Sequence, residues 1–458
     1  MSLKHSTLVF SVQRCQPELI SPAKPTPYEI KLLSDIDDQD GLRFQVPFIH
    51  FYRHQPEMGG KDPVHVIRQA LAQTLVFYYP FAGRIREGPG RKLVVNCTGE
   101  GVMFIEAHAD VTLDQFGDTL HPPFPRLEEL LYDVPGSRGI VNCALLLIQV
   151  TRLKCGGFIF AYRLNHSMSD GAGILQFMSA MAEIANGSCA PSIPPVWCRD
   201  LLSARNPSRI TCTHHEYELL PNVLVTMQNM IYRSFFFGST EEAAIRRFLP
   251  HNLRKSRTFE ILTACLWRCR TIALQFNPNE EVRMMFPVNV RAKLNPKLPI
   301  GYYGNDFVFV AAVTTARKLC KNPLGYALEL VKEAKARVNE EYVHSQADFL
   351  FTNGRPHHIV ARSFYVTDMK HAEFDRVDFG WGRAIYGGVA KGHSTNFPEN
   401  SSLYIPLKNA YGENSTLVPI CLPVEAMEKF AEELDKMLKN HGFPSSSVEN
   451  SHLIMSSL

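Results

Sequence analysis

The sequence predicts an α+β protein of two similar-sized domains, each a mixed sheet with flanking helices. Three observations lead there. The chain is 458 residues long, more than one ordinary core organises. Strand-like and helix-like stretches follow one another without the regular βαβ alternation of a doubly wound sheet. A proline-rich stretch from Ala190 onward, with Pro191, Pro194, Pro195 and Pro207, parts the chain and reads as a long exposed crossover. The expected division is a first domain at 1–189, the crossover at 190–221 and a second domain at 222–458, with a segment near 365–400 able to pack against the first.

In the first half, Leu8–Val12 is a short apolar run that reads as a strand, and Ser21–Pro27 is turn-forming. Pro63–Phe77 carries Val64, Ile67, Ala70, Leu71 and Leu75 at helical spacing and stops before Pro80. Lys92–Val95 and Val102–Ala107 read as strands, and Leu145–Leu153 and Gly157–Leu164 flank a hairpin connection at Lys154–Gly157. Gly171–Ile184 is helical, with Ile174, Phe177, Met178, Met181 and Ile184 on one face. In the second half, strands are expected at Ile231–Phe237, Val282–Val290, Phe364–Thr367, Ser402–Ile405 and Leu417–Leu422. Helices are expected at Thr258–Leu274, Pro323–Tyr342 and Val424–Lys439, the second opening on a proline near its first turn.

Composition narrows the function. The formal net charge of +3, from 48 basic and 45 acidic residues, is too balanced for a nucleic-acid or membrane-surface protein. Eleven scattered cysteines, with no C-x-x-C pair, argue against a disulfide framework and for a reducing compartment. Cys212, His214 and His215 invite a metal reading, but no second ligand pair follows at suitable spacing, so no metal is expected. Leu8–Val12 is too short for a signal peptide or a membrane span, so no targeting segment is expected there. The C-terminal Ser456-Ser-Leu458 is a degenerate form of the peroxisomal Ser-Lys-Leu address, which leaves cytosol and peroxisome as the expected locations.

Three His-x-x-x-Asp pairs occur: His166 with Asp170, His344 with Asp348, and His371 with Asp375. The pattern alone is common. The second pair falls one helical turn apart on a charged helix and reads as solvated; the third lies in a polar loop. The first differs in its surroundings. An apolar strand, Phe158–Leu164, delivers His166, while Gly171, Ala172 and Gly173 leave backbone room where a helix begins. On residues alone, His166 is either a catalytic base or a satisfied core histidine. Asp378-Phe-Gly-Trp-Gly382 interleaves two aromatics with two glycines after an acid, either a functional loop or a structural turn with an aromatic plug. No G-x-S-x-G elbow, G-x-G-x-x-G or G-x-x-x-x-G-K is present. Arg254-Lys-Ser-Arg-Thr258 opens a helix, where basic side chains and free N–H groups suit phosphates. Lys255, Ser256 and Thr258 are the candidates there, the alternative being that the stretch is only a solvated helix N-cap.

His166–Gly171 and Asp378–Gly382 resemble, in order and separation, the two hallmark motifs of the plant BAHD acyltransferases. Leu33–Asp38, Tyr79–Arg84, Pro287–Arg291 and Gly301–Asn305 also resemble family segments, so the likeness covers nearly the whole chain. Asn322–Leu328 and Gly380–Gly388 carry a closer likeness to the alcohol acyltransferases, especially the benzoyl-CoA:benzyl alcohol benzoyltransferases. The resemblance implies a chloramphenicol-acetyltransferase-like fold with an active-site tunnel at the domain interface. It implies a monomeric enzyme, acyl-CoA (here benzoyl-CoA) as co-substrate, and no permanently bound cofactor. His166 would be the general base that deprotonates an alcohol as it attacks the thioester. Asp170 would pair with Arg291 and support the site. Asp378 would be structural or an accessory in proton transfer, and the Trp381 indole N–H is either an oxyanion donor or a packed plug. Two departures bear on the substrate: Asp306 stands where relatives tend to carry a small apolar residue, and Lys391–Asn396 is shorter and more polar. The alternatives are an O-acyltransferase with acetyl-CoA or another donor, an N-acyltransferase, and a non-catalytic acyl-CoA-binding relative.

Overall fold

The computed structural model describes residues 8–117, 120–217, 229–394, 398–408, 412–439 and 454–456. Among them the strands form two seven-stranded sheets and a small three-stranded one. The first large sheet runs Val12–Arg14, Val102–Ala109, Leu146–Leu153, Phe158–Asn165, Gln45–Tyr52 and Tyr386–Val389, with Glu18–Ile20 also pairing with Val102–Ala109. The second runs Phe307–Thr315, Glu281–Asn289, Ser363–Asp368, Ser401–Lys408, Asn414–Pro423, Met230–Phe237 and Ile454–Ser456. Both mix parallel and antiparallel pairs, the α+β character expected from the irregular element order. The small sheet joins Ile30–Leu32, Leu93–Asn96 and Arg84–Glu87.

Helices Pro63–Phe77 and Gly171–Ala185 pack on each other, as Thr258–Leu274 does against Leu324–Ala336 and Val424–Leu438. Pro63–Phe77 matches its expected bounds. Pro63 occupies the first turn, where its missing N–H costs nothing. Ile67, Leu71 and Leu75 are fully buried, each worth about 1.5–3 kcal/mol. The second strand of the predicted hairpin, Phe158–Asn165, lies between Leu146–Leu153 and Gln45–Tyr52, both antiparallel to it. That central position fixes the point from which His166 emerges.

Several expectations need correction. The first strand begins only at Val12, because Val9 is 78% exposed and Ser11 turns its N–H and hydroxyl to the Asp110 carboxylate. The stretch expected as one helix at Pro323–Tyr342 is two, Leu324–Ala336 and Glu340–Thr352. Asn339 caps the second by accepting from the N–H of Tyr342 at 2.9 Å. The crossover is anchored rather than freely exposed: Arg199, Leu202, His214, Glu216 and Tyr217 are buried while stretches such as 206–211 stay exposed, and its last residues, 218–221, lie outside the described residues. Asp348 is buried rather than solvated, and it holds the crossover by accepting from the backbone N–H groups of Arg205 and Arg209 and from the Arg205 guanidinium. His214 is buried and bonded to the Ser345 hydroxyl, with burial pushing its pKa down to about 4. Among the described residues no helix is long and apolar enough to cross a membrane. Ser457 and Leu458, the end of the peroxisome-like tripeptide, lie outside the described residues.

Candidate active site

His166 leaves the strand one residue after its end and turns back at once. Its N–H donates to Phe44 O at 2.9 Å, and the Met168 N–H closes a turn on Asn165 O at 3.0 Å. Of the small residues expected to give room, Gly171 and Ala172 line the cavity, whereas Gly173 serves packing. The Ser169 hydroxyl donates to Tyr303 O at 2.7 Å. A Cβ on Gly173 would sit 2.2 Å from the same carbonyl, so only glycine fits where the helix passes the second half. Asp170 caps that helix through the Gly173 N–H at 2.9 Å.

Residues from the second half and the crossover complete the loop's support. Asn305 donates from its side-chain amide to His166 O and to Asp37 Oδ1, both at 2.9 Å. Asp37 Oδ1 also accepts from the Asn305 N–H at 3.0 Å and from Arg199 Nη1 at 2.7 Å, while Arg199 Nη2 donates to Met168 O at 2.8 Å. Asp37 and Arg199 are both buried. Sequence reasoning singled out neither Arg199 nor Asn305 as a site residue, because the contact joins positions far apart in the chain.

The imidazole borders a cavity of about 1380 Å³ lined by residues of both halves. Phe44 and Phe307 flank the ring at centroid distances of 5.2 and 6.1 Å. Phe48, Phe259, Phe309 and Tyr365 add further aromatic wall. Nδ1 is buried without a normal hydrogen bond, which leaves Nε2 to face the cavity. Burial lowers the His166 pKa below the ordinary imidazole value; its own carbonyl, the Asp170 carboxylate and Asn305 pull the other way. The ring is therefore biased to the neutral form, the one that accepts a proton.

Asp170 and Arg291 do not pair directly. The Arg291 guanidinium bonds Asp306, with Nε 2.8 Å and Nη2 2.6 Å from Oδ2. The Asp306 N–H donates to Asp170 Oδ2 at 3.1 Å. The expected pair is a relay with a second carboxyl in the middle, because the side chain that departs from the family pattern fills the space between the expected partners.

Asp378 and Trp381 are far from the ring. Asp378 accepts from the Gly380 N–H at 2.8 Å within its own turn, and its carbonyl accepts from Asn186. Gly380 has a φ of +107°, a conformation that favours glycine. Trp381 meets Phe158 edge-on at 5.3 Å, and Phe379 meets Phe160 at 5.0 Å. Phe158 lies eight residues up the strand from His166, about 25 Å at the usual rise. No residue of the loop lines the cavity. The indole N–H is thus out of reach of an oxyanion formed beside His166.

The cavity wall also carries Arg246, Arg257, Thr258, Lys335, Lys370 and Lys391. Of the three candidates for coenzyme A, only Thr258 is part of this wall. Lys255 is exposed outside it, and the Ser256 hydroxyl accepts from Lys332 at 3.4 Å. Arg246 holds the turn by donating to the carbonyls of Arg254 and Ser256 and to the Thr258 hydroxyl. Arg246, Lys335 and Lys370 were not legible as site residues, since they come from separate elements.

The arrangement accommodates a neutral base beside a largely aromatic and apolar cavity that also carries basic side chains on its wall, and comparison with known proteins agrees. The chain matches the Transferase family over residues 10–437. It is 64% identical over 441 residues to the benzyl alcohol O-benzoyltransferase of Petunia hybrida, covering 96% of each chain. It is 54% identical to the 13-hydroxylupanine O-tigloyltransferase of Lupinus albus, covering 99% of this chain and 100% of that one. Among solved structures, vinorine synthase superimposes with a TM-score of 0.71 at 21% identity, covering 93% of this chain and 98% of that one. TRI101 of F. sporotrichioides, solved with coenzyme A and T-2, does so with a TM-score of 0.64 at 15% identity, covering 89% and 98%. Both likenesses support the chloramphenicol-acetyltransferase-like fold. With both motifs in place and relatives matched end to end, the chain belongs to the BAHD acyltransferases, enzymes that take their acyl group from coenzyme A thioesters.

Proposed function

We infer that this enzyme forms esters by moving a benzoyl group from benzoyl-CoA to benzyl alcohol, with His166 as the general base. One observation carries the reading: a neutral-biased imidazole at the wall of a channel whose nearest neighbours are Phe44 and Phe307. The name and 64% identity of the petunia relative support the same substrates. His166 Nε2 takes the hydroxyl proton as the alcohol oxygen attacks the thioester carbonyl. The tetrahedral intermediate collapses, expels the coenzyme A thiolate, and His166 returns the proton to the sulfur. No acyl-enzyme is needed when both substrates share the channel.

Asp170 and Arg291 support the loop. Thr258, with Arg257 and Lys335, serves the coenzyme A end, while Lys255 and Ser256 stand behind that wall. Asp378 and Trp381 hold the plug that fastens their loop to the first sheet. The working unit is the pair of halves at 1–189 and 222–458 joined by the crossover at 190–221. A monomer is the proposed working form. The C-terminal Ser-Ser-Leu supports a peroxisomal address beside the cytosolic one. The deciding experiment presents a panel of acyl-CoAs and alcohols and identifies the esters by mass, with His166→Ala alongside. Benzyl benzoyl ester as the main product, and none from folded His166→Ala, is expected. Retained turnover in the variant refutes the base assignment, and release of no thiol from any acyl-CoA returns the chain to a binding role.

A further inference from the structure

The relay behind the active-site loop contains one carboxyl more than its cation balances. Asp170 and Asp306 are 7% and 1% exposed, and the Asp306 N–H donates to Asp170 Oδ2 at 3.1 Å, which sets the two carboxyls side by side. Asp170 already accepts from two backbone N–H groups, those of Gly173 and Asp306. Asp306 already accepts from the Asn289 amide and the Arg291 guanidinium. Two carboxyls buried side by side repel each other when both are ionised, and one proton held between them removes the repulsion. Arg291 is the facing cation, and its side chain keeps 33% of its surface exposed. It offsets one buried negative charge, not two.

We propose that Asp306 is a positioning residue, which holds the His166 loop by sharing one proton with Asp170. The proton joins the residue preceding the strand Phe307–Thr315 to the N-cap of the helix that follows His166. Losing it sets two carboxylates against each other, pushes the cap away from the second half and misplaces the imidazole. The direction of the titration agrees: burial and the neighbouring Asp170 raise the Asp306 pKa well above the ordinary carboxyl value, against the pull of Arg291. The other ionisable groups about the pair are His166 on its loop, Tyr302 beside Arg291, the Asp37–Arg199 ion pair held at neighbouring Asn305, and Lys293 on the cavity wall, which donates to Val338 O. Burial raises Tyr302 well above its ordinary value, so it stays neutral throughout. The inference rests on His166 being the base.

Asp306→Asn tests it. An asparagine can donate permanently to Asp170 while its oxygen accepts from Arg291, at the cost of the bond from Asn289, a loss that is the same at every pH, so the link no longer titrates. As pH rises above the ordinary carboxyl range, the wild-type kcat/KM is expected to fall about tenfold relative to the variant, a misplaced base being costly. The KM for acyl-CoA should change little. Over the same rise in pH the melting temperature of Asp306→Asn should gain on that of the wild type. A group whose pKa is raised by folding contributes fully at low pH, and that contribution is lost as pH rises through the folded value. Superimposable pH profiles of kcat/KM overturn the positioning role, and a melting difference that does not change with pH overturns the shared proton. The melting arm needs no catalysis, so it still decides the shared proton if His166 proves not to be the base.

Discussion

Asp37 and Arg199 are the buried charges on which the active-site loop leans, and removing either has a calculable cost. Their side chains are 0% and 2% exposed and 2.7 Å apart. Arg199→Met deletes the donor to Met168 O and leaves Asp37 with only the neutral donors of Ser34 and Asn305. Breaking such a pair from one side costs about 3–5 kcal/mol, because the remaining charge cannot return to water. Asp37→Asn strands the guanidinium in the same way and should cost a similar amount. The double variant leaves no unbalanced charge, so its loss should be smaller than the sum of the singles by about 2 kcal/mol or more. Urea unfolding followed by tryptophan fluorescence measures all three, and Trp197, stacked 4.5 Å from Arg199, reports on this site. Each single should also lose kcat, since Met168 O and, through Asn305, His166 O are both held by this pair. Singles that lose less than about 1 kcal/mol, or a double equal to the sum of the singles, would refute the view that charge balance supports the loop.

Three further outcomes follow from the geometry. The lowered His166 pKa places the acid limb of kcat/KM below the ordinary imidazole value, with activity rising as the ring becomes neutral; a limb above about pH 6.5 would contradict the desolvated ring. The same shift makes the ring's contribution to stability present above its unfolded pKa and lost as pH falls through the folded value. Trp381→Ala should cost about 3–5 kcal/mol of stability through the space opened against Phe158, whereas Trp381→Phe should keep most turnover. A loss of about 10²–10³ in kcat with unchanged melting in Trp381→Phe would restore the oxyanion role. Arg257→Ala should raise the KM for acyl-CoA about tenfold with kcat largely kept, the loss of one hydrogen bond to a charged group; an unchanged KM would move the phosphate contacts elsewhere on the cavity wall.

Much of this enzyme was legible in its residues, for physical reasons that also explain the failures. Pro63–Phe77 and Thr258–Leu274 were read to the residue, because helical spacing and starting signals agree there. Gln45–Tyr52 was missed although it lies inside the first sheet. It is apolar without alternation and carries Pro47, which argues against a central strand. Pro47 is tolerated because its carbonyl, not its missing N–H, meets the neighbouring strand, accepting from Ala390 at 2.9 Å. Phe307–Thr315 escaped notice for a similar lack of alternation, and it pairs with a strand on one side only. At the site, His166 and Asp170 were readable because strand end, glycines and helix start are local. The Arg291–Asp306 bond was not, since the expected partner was one carboxyl removed. The aromatic loop at 378–382 was recognised as unusual, but no local signal tells a plug from a proton donor; only the length of strand between Phe158 and His166 does.

Tyr386–Val389, deep in the second half of the chain, is hydrogen-bonded along Phe48–Phe51 of the first sheet. A polypeptide ending after residue 189 would therefore leave Gln45–Tyr52 with a naked flank of amides and carbonyls, an invitation to self-association. The two portions are interlaced like clasped hands. Grafting one of them onto a cousin's counterpart, to trade donor or acceptor preference, succeeds only when the borrowed ribbon comes along with it.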